Sequence, residues 1–205
     1  MNQSAYDHDR LLRCAREGST EGIGQLLDAY RAYLALLARL HIDRQLRGKA
    51  DPSDLVQETF LAAHKNFPQF RGTTEEELLA WLRQIMASKL ANLVRRYVVS
   101  AGRAVHLERQ MSDELDRSSS AMGGMFEDSG SSPSGRAARR EQAVLLANAL
   151  EQLPDDYREV IVLRHLEELN FPEIAVRMGR TLDSVKNLWT RALGRLKQSL
   201  VKRDE

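Results

Sequence analysis

Residues 51–97 constrain the fold of this chain most, because apolar residues recur there with helical spacing on both sides of a short loop. Asp51 is a predicted N-cap, and Pro52 stands in the first turn, where its missing N–H group costs nothing. An apolar set then recurs at intervals of three and four residues, the spacing of one helix face: Val56, Phe60, Ala63 and Phe67. We therefore expect a helix that buries this stripe.

The opposite side of the same predicted helix carries a second set at helical spacing: Asp54, Gln57, Glu58 and Leu61. One apolar residue among polar ones is a mixture that a partner-binding surface would have. A face exposed only to solvent would show the same spacing, so the pattern leaves both interpretations open.

A second helix is predicted to start near Thr74, because Thr74 and Glu77 have the spacing of a capping box. Its core-facing residues are expected to be Leu78, Leu82, Met86, Leu90, Leu93 and Tyr97. Another side of it carries a polar and basic set: Lys89, Asn92, Arg95 and Arg96. Such a face suits the phosphates and base edges of nucleic acid, although polar helix faces are more often simply solvated.

The loop between these two helices reads FPQFRG and contains Phe70 and Arg71. An aromatic ring beside a cation can stack on an unpaired base and hold its phosphate. Taken alone this pairing is a weak indication, so both residues are candidates for nucleic-acid contact and no more.

Residues 170–200 have the pattern of a helix-turn-helix. Asn170 and Glu173 fit a capping box, Gly179 stands at the turn, and Thr181 caps a longer helix. Residues near the start of a recognition helix reach base edges in the major groove, while Lys and Arg also hold phosphates. The candidates are Thr181, Ser184, Lys186, Asn187, Thr190 and Arg191. A plain pair of antiparallel helices would also fit the pattern.

Residues 112–140 differ from both neighbours, since serine and glycine dominate and apolar periodicity disappears. This composition predicts a flexible linker between two small helical domains, residues 1–111 and 141–205, in an all-α fold. About 30 residues of this kind span roughly 30 Å on average and roughly 100 Å when fully extended. Two domains tied in this way can reach sites two DNA turns, or roughly 70 Å, apart.

Composition narrows the classes of function. The net charge of +1 excludes a uniformly basic protein, so any nucleic-acid surface must be local. Cys14 is the only cysteine, which excludes an internal disulfide, and the five histidines lack metal-ligand spacing. The sequence has no nucleophile–base constellation or glycine-rich phosphate loop, so we expect no catalytic residue, cofactor or metal. It also has no signal-like or membrane-spanning apolar run, and a cytoplasmic protein is expected.

Residues 51–97 resemble the second domain of bacterial RNA polymerase sigma factors of the extracytoplasmic-function (ECF) group. The matching pieces are DLVQETF at 54–60, F-x-x-FRG at 67–72, Trp81-Leu82 with Ile85, and Arg95-Arg96. Residues 170–200 are similar to the fourth domain of the same family. The resemblance covers residues 7–97 and 141–200 in the family's order. The family often has Asn at the position of Ser88, so a different promoter preference is expected.

The resemblance implies a dissociable initiation subunit that brings core RNA polymerase to promoter DNA. The second domain is expected to dock on the β′ clamp helices through Asp54, Gln57, Glu58 and Leu61. It is also expected to recognise and open the −10 element, through Phe70, Arg71, Lys89, Asn92, Arg95 and Arg96. The fourth domain is expected to meet the β flap and to read the −35 element through Thr181, Ser184, Lys186, Asn187, Thr190 and Arg191. In this family an anti-sigma protein is a common further partner, and the connector threads through the polymerase.

A two-component-type transcription regulator is the main alternative, because its C-terminal helix-turn-helix would look similar. That class carries an α/β receiver or ligand domain in front, and no alternating strand pattern occurs in this sequence. A purely structural helical scaffold would explain the periodicity. It would not explain the joint order of DLVQETF, FRG and the helix-turn-helix, which favours the sigma factor interpretation.

Overall fold

The structure, a computed structural model, describes residues 3–46, 49–97, 106–125 and 135–201. Every regular element in these ranges is helical, which confirms the expected all-α fold class. The chain divides into two compact units, Met1–Ser119 and Ser120–Glu205.

The first unit contains α1 (Gln3–Arg16), α2 (Thr20–Asp28), α3 (Arg31–Gln45), α4 (Pro52–Asn66), a 3₁₀ turn (Phe67–Gln69) and α5 (Glu75–Tyr97). Helix α6 (Leu107–Gly123) crosses the division between the units. The second unit contains α7 (Gly135–Glu151), α8 (Asp155–Ile161), one π-helical turn (Val162–Leu166), α9 (Phe171–Met178) and α10 (Leu182–Val201).

Local capping sets the start of the two central helices as predicted. Asp51 accepts a hydrogen bond from the Ser53 backbone N–H at 2.8 Å, which caps α4. At α5, the hydroxyl of Thr74 accepts from the Glu77 N–H at 3.2 Å, and the Glu77 carboxylate accepts from the Thr74 N–H at 3.1 Å. The backbone N–H groups of Thr73 and Thr74 also lower the pKa of Glu77. Both helices therefore begin where their own side chains satisfy the first N–H groups.

The core of the first unit lies among α3, α4 and α5. Its fully buried side chains include Tyr33, Leu37, Leu55, Leu78, Leu82, Met86 and Leu90. Of the predicted α4 stripe, Phe60 is only half-buried, and the Arg31 guanidinium lies over its ring at 5.0 Å. The prediction that Tyr97 faces the core is wrong: it is 42% exposed, whereas Val94 is the last buried residue of α5.

Residues 112–123, expected to be flexible, belong to helix α6, and this part of the linker prediction is wrong. Residues 135–140 likewise belong to α7, and residues 126–134 lie outside the described ranges. The sequence does not reveal the buried stripe of α6, because one of its positions is a serine and not an apolar residue. Met111, Leu115 and Ser119 recur at intervals of four, and each is at most 1% exposed. The Ser119 hydroxyl accepts a hydrogen bond from Tyr33 at 2.8 Å, so a polar residue fills a buried position.

A buried arginine underlies α6. Arg83 of α5 is 2% exposed, and its guanidinium donates to Asp116 of α6 at 2.6 Å and to the Tyr33 hydroxyl at 3.0 Å. Burial lowers the pKa of Arg83, but the interactions with Tyr33 and Asp116 outweigh that effect and leave it raised. The guanidinium therefore stays charged inside the unit and depends on α6 for one of its partners.

In the second unit, α8 passes into α9 through an unusual connection. The Glu167 N–H donates to the Val162 carbonyl at 3.0 Å, five residues back, which is the bond of a π-helical turn. Glu168 follows in the left-handed region with φ +60°. Asn170 and Glu173 then form the predicted capping box at the start of α9. These tight bends bring α9 against the π-helical turn and α10 back against α8.

Candidate functional site

The first candidate surface is the outward face of α4, made of Asp54, Gln57, Glu58 and Leu61. All four are exposed, and the Leu61 side chain is 65% exposed. Its neighbours on the inward side, Val56 and Ala63, are buried. The structure therefore brings the four predicted residues together on one face, with a large apolar side chain unburied among polar ones. We call this set the α4 face.

A cavity of about 530 Å³ lies between the start of α4 and the end of α5. Its lining includes Asp54 and Glu58 of the α4 face together with Arg96 and Tyr97. From the sequence, Asp54 and Glu58 are expected on the α4 face, Arg96 on a separate surface of α5 and Tyr97 in the core. Packing of α4 on α5 makes the polar edge of the α4 face continuous with the basic end of α5.

The basic end of α5 consists of Lys89, Asn92, Arg95 and Arg96. Lys89 is half-buried and the other three are exposed. Arg95 donates to the side-chain oxygen of Asn92, so this amide and this guanidinium already act on each other. Cations in the last turn of a helix are stabilised by its dipole, and they also suit the approach of a phosphate backbone.

The loop residues Phe70 and Arg71 are held apart from that end. The Phe70 ring packs on Trp81 with centroids 4.8 Å apart and on Phe67 at 5.9 Å. Arg71 donates to the Pro68 carbonyl at 2.7 Å. At a rise of 1.5 Å per residue, Lys89 lies about 12 Å along α5 from Trp81, on which Phe70 packs, and Arg96 lies about 22 Å from it. The predicted −10 residues therefore form two clusters rather than one.

Gly72 and Trp81 fix the loop, although neither is among the binding residues predicted from the sequence. A Cβ atom on Gly72 would lie 2.4 Å from the Phe70 ring, so this close approach requires glycine. Trp81 is half-buried beneath Phe70 and also meets Phe67 edge-on, with centroids 6.2 Å apart. The two Phe residues of the FPQFRG loop could have indicated a packing role for Trp81, because aromatic rings pack favourably on one another.

The third candidate surface lies on α10 of the helix-turn-helix. Gly179 ends α9 with φ +62°, and the Thr181 hydroxyl accepts from the Ser184 N–H at 3.3 Å, as predicted for its cap. Thr181, Lys186, Asn187, Thr190 and Arg191 are exposed, and Ser184 is half-buried. On the other side of the helix, Val185 and Ala192 are fully buried. The structure thus places the predicted residues on the outer side of one supported helix, which we call the α10 face.

A ring network supports α10 from behind. The Trp189 indole N–H donates to His165 Nε2 at 3.1 Å, and Phe171 meets the Trp189 ring edge-on at 5.4 Å. The Arg164 guanidinium lies over the Phe171 ring at 5.0 Å. Burial, with a smaller contribution from Arg164, lowers the pKa of His165. His165 can accept the Trp189 N–H only as a neutral imidazole, because both nitrogens of a protonated imidazole are donors. His165 is not among the residues predicted from the sequence to have a role.

A further ion pair joins the turn of this motif to α8. Arg180, directly after the turn glycine, lies 2.5 Å from the Asp156 carboxylate in the first turn of α8. Acidic residues there also suit the positive end of the helix dipole. The ion pair ties the residue before Thr181 to α8 and so helps to orient the start of α10, where the predicted reading residues begin.

Within the part of the chain that the structure describes, no cluster of three or more His, Cys, Asp or Glu side chains is arranged to hold a metal ion. None of the helices in that part is long and apolar enough to cross a membrane.

Comparison with known proteins places these surfaces in two regions of one protein family. The family model for Sigma-70 region 2 matches residues 29–98, which include α4 and α5, and the model for Sigma-70 region 4 matches residues 143–196, which include α9 and most of α10. Both occur in the order of the family. The chain belongs to the extracytoplasmic-function RNA polymerase sigma factors.

Individual sigma factors align along most of the chain. The ECF RNA polymerase sigma factor SigM of Bacillus subtilis is 27% identical over 170 residues, covering 83% of this chain and 86% of SigM. The ECF RNA polymerase sigma-E factor of Escherichia coli K12 is 26% identical over 182 residues, covering 89% and 88%. A solved structure of CnrH in complex with the cytosolic domain of CnrY is 26% identical, covers 97% of this chain and 99% of that one, and has a TM-score of 0.34.

Proposed function

We propose that this ECF sigma factor binds core RNA polymerase, directs it to promoters by recognising −10 and −35 elements, and opens the DNA at the −10 element. The observation that carries the proposal is the presence of both sigma regions in one chain, each with an exposed polar helix surface. The protein is a transcription initiation subunit in this proposal and performs no bond chemistry itself.

Docking on the β′ clamp helices uses the α4 face. A partner helix that covers Leu61 would bury its exposed side chain, and Gln57 and Glu58 would supply polar contacts around it. Interfaces gain most from a few desolvated anchors surrounded by polar residues. The arrangement of one apolar residue inside a polar face supports this assignment.

Recognition and opening of the −10 element use the two clusters of the first unit. The basic end of α5 holds the phosphate backbone, with Asn92 and Arg95 available for base edges. The Phe70 and Arg71 loop then receives an unpaired base beside the Phe70–Trp81 stack. Extruding a base costs a few kcal/mol, and stacking offsets a comparable amount, so opening requires no ATP.

Recognition of the −35 element uses the α10 face. Lys186 and Arg191 supply phosphate or base contacts, and Asn187 and Thr190 tune the choice of sequence. The Thr190 hydroxyl donates to the Lys186 carbonyl at 3.0 Å, so its methyl group is the part free for an apolar base contact. The buried opposite side of α10 keeps these residues in a fixed orientation. The β flap is proposed to bind the same unit.

Run-off transcription tests the proposal. Core RNA polymerase is combined with pooled genomic fragments, with and without the chain, and the 5′ ends of the transcripts are sequenced. We expect new start sites that depend on the chain and share two sequence elements about two DNA turns apart. A chain that binds core polymerase without producing specific starts would contradict the promoter-recognition proposal.

A further inference from the structure

Helix α6 is held on the first unit by a short apolar stripe and by several polar contacts. Residues 107–119 are all described, and among them Met111 and Leu115 are the large apolar side chains that are buried. The hydrogen bonds between α6 and helices α3 and α5 include Tyr33–Ser119 at 2.8 Å, Arg83–Asp116 at 2.6 Å, His41–Ser118 at 3.1 Å, Ser112–Gln84 at 3.1 Å and Gln84–Glu108 at 3.4 Å. By contrast, α5 buries a long apolar face that includes Leu78, Leu79 and Leu82.

Opening this interface costs less than opening the one around α5, because α6 buries fewer large apolar side chains. Hydrogen bonds between protein groups exchange for hydrogen bonds with water, so their net contribution is small. The Arg83 guanidinium and the hydroxyl of Tyr33 would gain water as partners if α6 left. A 17-residue helix rich in serine is marginal in water without tertiary contacts. Release of α6 from the unit and its unfolding are therefore expected to be one event.

The state of α6 also sets the reach of the connection between the units. Eleven residues separate the end of α6 at Gly123 from the start of α7 at Gly135. They span about 40 Å at most. If α6 unfolds, 28 residues connect Leu107 to Gly135 and span roughly 100 Å. The sites that a sigma factor must engage together lie roughly 70 Å apart.

We propose that α6 is a reversible clasp, docked on the first unit in the free protein and released when the chain engages both promoter elements on core RNA polymerase. The proposal rests on the function proposed above. Binding at a second site favours whichever state of the chain permits it, and a released α6 permits a wider separation of the units. When α6 is released, its residues lengthen the connection between the units; when it is docked, the connection is shorter.

A thiol probe on α6 tests the clasp. In a Cys14→Ser background, Ser119→Cys puts a thiol at a position that is 1% exposed, and Ser120→Cys puts one at the next, exposed position. Maleimide labelling of the chain is followed by mass spectrometry in the free protein and in the promoter complex. We expect labelling of Ser119→Cys to be at least tenfold slower than that of Ser120→Cys in the free protein, and similar to it in the complex.

Hydrogen exchange of the unsubstituted chain provides an independent reading, because Ser119→Cys alters the Tyr33 contact. Amides of residues 107–119 should be protected in the free protein and should exchange faster in the promoter complex. Asp116→Asn should speed exchange in the free protein by about tenfold, since it weakens a charge-assisted bond. Asp113→Asn, at an exposed position of the same helix, should leave exchange unchanged.

The outcomes separate the two proposals. Normal run-off transcription with α6 still protected in the promoter complex would overturn the clasp and leave the proposed function intact. Rapid exchange of α6 in the free protein would overturn the clasp as well. A chain that fails to bind core polymerase would overturn both.

Discussion

The two helices proposed to meet DNA are supported very differently. Helix α10 is backed along its length by buried Val185, Ala192 and Leu196, and the rings of His165 and Trp189 stack behind it. The end of α5 has its last buried residue at Val94, and the residues after it are exposed. A helix fixed in this way suits the reading of an intact duplex, whose shape is already set. A less supported end suits DNA whose strands must separate and be captured.

The strongest test of this comparison removes two cations from the α10 face. Lys186→Ala with Arg191→Ala should lower affinity for duplex containing the −35 element by at least about 30-fold, at 1–3 kcal/mol per lost contact. The slope of log affinity against log salt should fall by about two if both residues hold phosphates. Fluorescence anisotropy over a salt series measures both quantities.

The matched control changes cations farther along the same helix. Arg195 and Lys197 are exposed and lie past the predicted reading residues. Arg195→Ala with Lys197→Ala should leave −35 affinity within about twofold of the unsubstituted chain. Full −35-dependent transcription by the Lys186→Ala, Arg191→Ala chain would remove α10 as the reader.

Substitutions on the α4 face should weaken binding to core RNA polymerase, a step that precedes the contacts of α5 and α10 with DNA. Gln57→Ala with Glu58→Ala is expected to weaken binding to core polymerase by about tenfold, as for interface residues around an anchor. Lys65→Ala, at an exposed position late in α4, is the control and should change binding little. Titration with labelled core measures affinity, and circular dichroism checks that helix content is kept. Unchanged binding would mean that the polymerase contacts lie elsewhere.

The capping residues explain why so much of the fold was predictable from the sequence. Thr74 with Glu77 and Asn170 with Glu173 act over three residues, so the spacing of the letters alone indicated the helix starts. The same holds for Gly179, which ends α9 in a conformation that glycine adopts readily. Signals of this kind depend on residues close together in the sequence, and they indicated the pair α4 and α5 and the pair α9 and α10.

The parts that sequence reasoning missed depend on contacts between distant residues. Asp116 pairs with Arg83, 33 residues away, and Ser119 pairs with Tyr33, 86 residues away. Serine and aspartate favour loops on local grounds, so α6 looked like linker until tertiary partners were known. The division of the −10 candidates into two clusters had a similar cause, because Phe70 is held by Trp81 at 4.8 Å rather than beside Lys89.

The loop cluster can be separated from the basic end of α5 by using a pre-opened template. Phe70→Ala should slow opening of duplex promoter by about fivefold or more, since stacking contributes 1–3 kcal/mol per base. On a template already mismatched at the −10 element, the same substitution should have a smaller effect. Arg96→Ala should weaken binding to both templates alike if it holds a phosphate. A fluorescent base analogue in the −10 element reports opening, and equal defects for Phe70→Ala on both templates would contradict its role in opening.

The smallest expected effect concerns the support behind α10. Because the pKa of His165 is lowered in the folded state, the unfolded chain binds the proton first as pH falls below 6.5. Its contribution to stability is therefore complete above about pH 6.5 and is lost as pH falls through that value towards the lowered folded-state pKa. We expect the second unit to be less stable at pH 5 than at pH 7, because protonation of His165 removes the acceptor of the Trp189 N–H and places a charge at a half-buried position. Urea unfolding in a Trp81→Phe background isolates the fluorescence of Trp189, since the chain has two tryptophans.

The control is His165→Gln, which keeps an acceptor for the Trp189 N–H but does not titrate. The stability of this variant should therefore change less with pH. An equal loss in both chains would assign the pH dependence to groups other than His165.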